Sequence, residues 1–163
     1  DLERAVAALA SARRVDIYGV GGSDPLAIDA YHKFLKLGMV AIALSDGDLM
    51  AMSSALLAKG DVALGISHTG ASRDVTDALA RAKANGATTI CITHRSTSPI
   101  TKVSDIRLYT AAKQTAFRSS ASSSRIAQLT IIDTLYVGIA LRAHDRSLET
   151  IGKTREATEA KRY

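Results

Sequence analysis

Short runs rich in Val and Ile recur five times along the chain, at 15–20, 39–44, 61–66, 88–93 and 106–109. Each is a continuous apolar run rather than an alternating one, which is how a strand covered on both faces reads. Between them lie segments with helical apolar spacing: Ala27, Tyr31, Phe34 and Leu35; then Leu49, Met52, Leu56 and Leu57; then Val75, Leu79 and Ala82. Strand and helix alternate about every 25 residues, so parallel βαβ units with right-handed crossovers follow. The expected fold is α/β: a three-layer, doubly wound, five-stranded parallel sheet flanked by helices. Aromatic residues make up only 4% of the 163 and there is no Trp, so the core must be built from Ala, Val, Ile and Leu.

The fourth connection is shorter, with Pro99 opening at most a brief helical turn. A polar stretch over 111–124 leads into an apolar helical run over 125–142, where Ile126, Leu129, Ile132, Asp133, Leu135 and Ile139 keep helical spacing. Apolar residues continue around most of its circumference, which places this helix at the domain centre or in a dimer interface and suggests that Asp133 is buried. Gly152 reads as a break, with 153–163 a frayed helix. The domain is expected over 1–147 and a helical tail over 148–163.

Cys91 is the one cysteine, so an internal disulfide and a cysteine-spaced zinc site are excluded, and no metal or cofactor is expected. The net charge is +5, but the basic residues of the tail are interspersed with Glu149, Glu156 and Glu159, which favours a solvated helix over a nucleic-acid surface. No apolar run approaches the ~20 residues of a membrane span, and no signal-peptide pattern opens the chain, so a cytoplasmic protein is expected.

In doubly wound sheets, ligands bind beyond the carboxyl ends of the strands, where successive connections part. The loop after the first strand reads Gly19, Val20, Gly21, Gly22, Ser23, Asp24, Pro25. Its glycines let backbone approach an anion, and Ser23 or Asp24 can cap the helix that Pro25 begins. A tight turn without a ligand reads the same way. The loop after the third strand is more specific: Ser67, His68, Thr69, Gly70, Ala71, Ser72 precede an apolar helix. Capping requires one hydroxyl; three around a glycine at a helix N-terminus form a phosphate site.

These two loops, Gly19-Val20-Gly21-Gly22-Ser23 and Ser67-His68-Thr69-Gly70-Ala71-Ser72, resemble the signature loops of sugar isomerase (SIS) domains, whose fold is flavodoxin-like. The stretches His32-Lys33-Phe34, Gly60-Asp61, Ser98-Pro99, Ser124 to Leu129 and Ile132-Asp133 resemble the branch found as the sensor half of RpiR-type bacterial transcription regulators. The resemblance implies that Ser23, Ser67, Thr69 and Ser72 hold the phosphate of a phosphorylated sugar or sugar acid, with Gly21, Gly22 and Gly70 shaping the loops and His68 reaching the sugar. Thr69 and Ser72 stand where many relatives have Ser and Thr, and Ala71 replaces a commonly charged residue. His94, after the fourth strand, either bonds a sugar hydroxyl or caps the turn before Pro99. His32 and His144 are expected on the surface or at an interface. Ser119 and Ser120, with Arg118 and Ser122 to Ser124, either add hydroxyls and a cation to the site or form an ordinary polar loop.

An aldose-ketose isomerase needs a base beside the reacting carbon. The glutamates are Glu3, Glu149, Glu156 and Glu159, so no Glu lies between residues 4 and 148, and no catalytic residue is assigned. The leading reading is a ligand-sensing domain, homodimeric or of higher order, with DNA contacted only through an N-terminal helix-turn-helix domain ahead of Asp1. A stand-alone phosphosugar isomerase, with His68, His94 or the late Glu149 as the available base, and a dimerisation module with a vestigial site are the alternatives.

Overall fold

A computed structural model of the chain describes residues 1–94, 97–111, 121–159 and 161. Five parallel strands stand in the order β2-β1-β3-β4-β5. They are β1 (Val15–Gly19), β2 (Ala41–Leu44), β3 (Val62–Ile66), β4 (Thr88–His94) and β5 (Ile106–Thr110). The helices are α1 (Leu2–Ala10), α2 (Asp24–Lys36), α3 (Gly47–Ala55), α4 (Arg73–Ala84), α5 (Pro99–Val103), α6 (Ala121–Arg142) and α7 (His144–Glu159), with a 3-10 turn over Gly21–Ser23.

Alternate side chains of the central strands β1, β3 and β4 enter two cores. Val15, Ile17, Leu64, Ile66, Ile90, Ile92 and Leu108 pack with α1, α2 and α6, while Tyr18, Ala63 and Cys91 pack with α3, α4 and α5. The three-layer, doubly wound sheet is therefore present, and strand boundaries fall within two residues of those expected. Three features differ from the sequence reading. The three central strands are buried along almost their whole length, but β5 alternates, with Arg107 and Tyr109 outward, and Ile42 of β2 is exposed, because an edge strand is covered less completely than a central one.

The second correction concerns α3. Leu49, Met52 and Leu56, expected to face inward, are 49, 58 and 74% exposed, while Met50, Ser54 and Leu57 are buried. Asp46 accepts from the backbone N–H of Leu49 and fixes where the helix starts. Its phase turns Ser53 toward the buried Asp16, whose carboxylate accepts from Ser53, Arg14 and Tyr18. Satisfying a buried carboxylate outweighs hiding three apolar side chains at the surface.

The third is the C-terminal region. Asp133 is exposed and ion-paired with Lys33, which also bridges to Asp29 and so ties α6 to α2. The stretch Ser124–Arg142 of α6 is, against expectation, long and apolar enough to cross a membrane by length and composition. Here its Ile132, Leu135 and Ile139 enter the core, and the helix packs on α1, α2, β4 and β5. α7 runs through Gly152 without a break, so a boundary at 147/148 falls inside it, and its charges pair within the helix as Lys153 with Glu149 and Arg155 with Glu159. α1, which the sequence reading leaves unassigned, buries Ala5, Val6 and Leu9 against α6.

Candidate functional site

Connections from β1 and β3 leave the sheet toward opposite faces, so the crevice between their carboxyl ends is where a ligand has access. Beyond β3, Ser67 stays buried and its Oγ accepts from the backbone N–H of Gly70 at 3.1 Å, closing a tight turn. Gly70 has φ +66°, and a Cβ there would stand 2.2 Å from Ser98 Oγ, so both the turn and its contact with the start of α5 require glycine. The backbone N–H of Ile100 donates to Gly70 O at 3.0 Å and that of His94 donates to His68 O at 3.1 Å, which fixes the loop against β4 and α5.

Hydroxyls left by this folding face the crevice. Ser72 precedes α4 but makes no side-chain cap; its Oγ lies 3.0 Å from Ser67 Oγ instead. Ser23 precedes α2 and likewise caps nothing with its side chain, which corrects the capping role expected of Ser23 or Asp24. The first-turn N–H groups of both helices thus lack a side-chain acceptor from these serines, and their dipoles favour an anion at this point.

Gly22, Ser23, Ser67, His68, Thr69, Ser72, Ser124, Arg125 and Gln128 line a cleft of about 190 Å³. Arg125, on the first turns of α6, lies across Gly22: its Nη2 is 3.2 Å from where a Cβ on Gly22 would be, so any larger residue would crowd the guanidinium. Among the described residues the lining contains no carboxylate, and no group of three or more His, Cys, Asp or Glu could hold a metal. Hydroxyls, the Arg125 guanidinium and helix N-termini around a small cavity suit an anionic ligand with oxygen acceptors.

The rings of His68 and His94 lie beside each other, centroids 5.5 Å apart and planes tilted by 48°. Burial, and then the neighbouring His94, depress the His68 pKa below its ordinary 6.5, so the ring is neutral at pH 7.

Of the expected site residues, Gly22, Ser23, Ser67, His68, Thr69 and Ser72 come together on the cleft. Gly21, at φ +55°, and Gly70 shape its loops, and His94 is beside His68 without lining the cleft. Ser119 and Ser120 lie outside the described residues. Ser124, one of the serines that the sequence offers either to the site or to a polar loop, lies on the cleft; Arg125 and Gln128 do too and were not expected there, although Gln128 at i+4 from Ser124 on an otherwise apolar helix was a readable signal. Glu149 is on α7, bonded to Lys153, and does not reach the cleft.

The SIS domain family model matches residues 8–138. The HTH-type transcriptional regulator RpiR of Escherichia coli K12 is 41% identical over 140 residues, covering 86% of this chain and 47% of the regulator. This chain spans about half the length of the curated relatives it matches. The sugar isomerase domain of an RpiR transcription factor from Sphaerobacter thermophilus superposes with a TM-score of 0.85 at 28% identity, over 95% of this chain and 85% of that one. The Vibrio vulnificus NanR protein complexed with ManNAc-6P has the same fold, with a TM-score of 0.91 at 22% identity over 99% of this chain and 61% of NanR.

Proposed function

The chain belongs to the SIS domain family, and from that membership and the chemistry of its cleft we propose that it is the phosphosugar-sensing domain of an RpiR-type bacterial transcription regulator. The observation that carries the reading is a cleft lined by the hydroxyl residues Ser23, Ser67, Thr69, Ser72 and Ser124, the guanidinium of Arg125 and no carboxylate, set at two helix N-termini whose preceding serines do not cap them. Ser23, Ser67, Thr69 and Ser72 hold the phosphate, with Arg125 closing over it; Gly21, Gly22 and Gly70 let the backbone approach. His68 faces the sugar, His94 is within reach of it beside His68, and Ser119 and Ser120 are assigned to the same ligand from the family resemblance.

Binding proceeds without turnover, because the late glutamate that could act as base sits on α7, away from the cleft and engaged by Lys153. DNA is contacted through an N-terminal domain, so the protein works in the cytoplasm and pairs to meet two half-sites. The outward side of α6 supports the pairing: Ile126, Val137 and Leu141 are 68, 51 and 68% exposed there.

Differential scanning fluorimetry with a panel of aldose and ketose phosphates, followed by NMR of the same mixtures, tests the reading. A ligand at 100 times its Kd stabilises by about 2.7 kcal/mol and leaves the sugar unconverted. Steady interconversion abolished by Glu149→Gln would reassign the chain as an isomerase. A solution mass of 17.2 kDa at high micromolar concentration would remove the pairing.

A further inference from the structure

Two polar atoms at the cleft are buried without a partner among the described residues. Gln128 is 1% exposed and its Nε2 meets no hydrogen-bond acceptor there; Nδ1 of His68 is likewise buried and unbonded. Both residues line the same cleft. Gln128 begins the inward stripe of α6 that continues as Ile132, Leu135 and Ile139, all buried. Leu or Met at position 128 would extend that stripe and leave nothing unsatisfied, so a hidden amide here is costly for folding and calls for a partner that the described residues do not supply.

The character of the two groups indicates what that partner is. A phosphate offers acceptors only, and its charge is matched by Arg125, the hydroxyls and the helix N-termini. A carboxamide carries a donor and an acceptor side by side, and a neutral imidazole does the same at its two nitrogens. Such groups match hydroxyl or amide substituents, which also donate and accept.

We infer that Gln128 reads the uncharged half of the ligand, its Nε2 donating to a hydroxyl or carbonyl oxygen of the sugar beside His68. Gln128 thereby sets preference for a sugar ester over free phosphate. The inference rests on the phosphosugar reading above and adds the residue that distinguishes one phosphate ester from another.

Calorimetry on the chain tests it, with inorganic phosphate, ManNAc-6P and other hexose phosphates as probes, in the wild type, Gln128→Met, Gln128→Glu and Ser67→Ala. The ratio of the best sugar-ester affinity to the phosphate affinity falls ~10- to 100-fold in Gln128→Met, the worth of a hydrogen bond lost from a desolvated site. Its melting temperature without ligand holds or rises, because an unsatisfied buried amide has been removed. Gln128→Glu keeps the shape and removes the donor, so the ratio falls there too, which covers the case of a Met that packs badly. An unchanged ratio in both Gln128 variants, with binding still lost in Ser67→Ala, overturns this inference and leaves the phosphate site standing. A drop in melting temperature with the ratio preserved assigns Gln128 a structural role and overturns it equally. Absence of binding by the folded wild type to every sugar ester overturns both readings.

Discussion

Two of the buried polar clusters in this domain differ in one respect. On β1, the carboxylate of Asp16 accepts from Arg14 at 2.7 Å, from Ser53 Oγ at 2.6 Å and from the Tyr18 hydroxyl at 3.1 Å, while Arg14 also donates to Ser53. Burial, then the Asp16 charge, push the Tyr18 hydroxyl far above its ordinary pKa, so it remains a donor. At the end of β3, by contrast, Ser67, Ser72, His68 and Gln128 border a cleft, and two of their atoms have no partner among the described residues. The first cluster is closed and consumes its own polarity in holding α3 to the sheet. The second is open and keeps polarity in reserve for a ligand. Buried polarity alone is no mark of a site; buried polarity left unsatisfied at a cavity is.

The sharpest way to separate the clusters is to break each. Asp16→Ala strands the buried end of Arg14 and removes the acceptor of two hydroxyls, so urea denaturation should show a loss of about 3 kcal/mol. A loss within about 0.5 kcal/mol would mean the network is solvated and the contrast is not real.

Ser67→Ala and Ser72→Ala act on the open cluster, and each should weaken phosphosugar binding by roughly 1.5–3 kcal/mol in calorimetry. Ser67→Ala also removes the shorter of the two bonds from the Gly70 N–H, leaving the one to Ser67 O at 3.3 Å, and should cost about 1 kcal/mol of stability, whereas Ser72→Ala, which caps nothing, should cost less. Unchanged affinity in both variants would remove the phosphate site. Gly70→Ala sets a Cβ against Ser98 in a backbone conformation that disfavours it and should destabilise by about 1–3 kcal/mol; a melting temperature equal to wild type would show that the loop adapts.

The smallest effect is a slope. The folded His68 pKa lies below the unfolded value of 6.5, so the unfolded chain binds the proton more readily. Stability therefore rises with pH up to about 6.5 and is lost as pH falls through that window. His68→Gln should flatten this dependence between about pH 5 and 7.5, and an identical slope in the variant would place the depressed group elsewhere.

The alternation of continuous Val and Ile runs with helical spacing was enough for the sheet, its order of elements and the two loops at its switch point, because both signals are local and periodic. The phase of α3 was not legible: Leu49, Met52 and Leu56 have the spacing of a buried face, and only the position of Asp16 on a strand 30 or more residues earlier in the chain shows why Ser53 turns inward instead. Asp133 was misjudged for the same reason, since its partner Lys33 is far away in the chain.

The site divides along the same line. Glycines, serines and the histidine of the β1 and β3 loops lie close together in the chain, and their types specify anion chemistry before any fold is known. Arg125 and Gln128 enter the cleft from α6, more than fifty residues beyond the second loop, and their side chains mean nothing until that helix is laid across Gly22 and Ser67. Sequence alone determined the fold class and the two glycine- and hydroxyl-rich loops proposed to hold a phosphate, since short-range geometry and residue chemistry suffice for both. Which buried polar groups close on each other and which stay open was decided by tertiary packing, because satisfaction of a hydrogen bond is a property of contacts between distant segments.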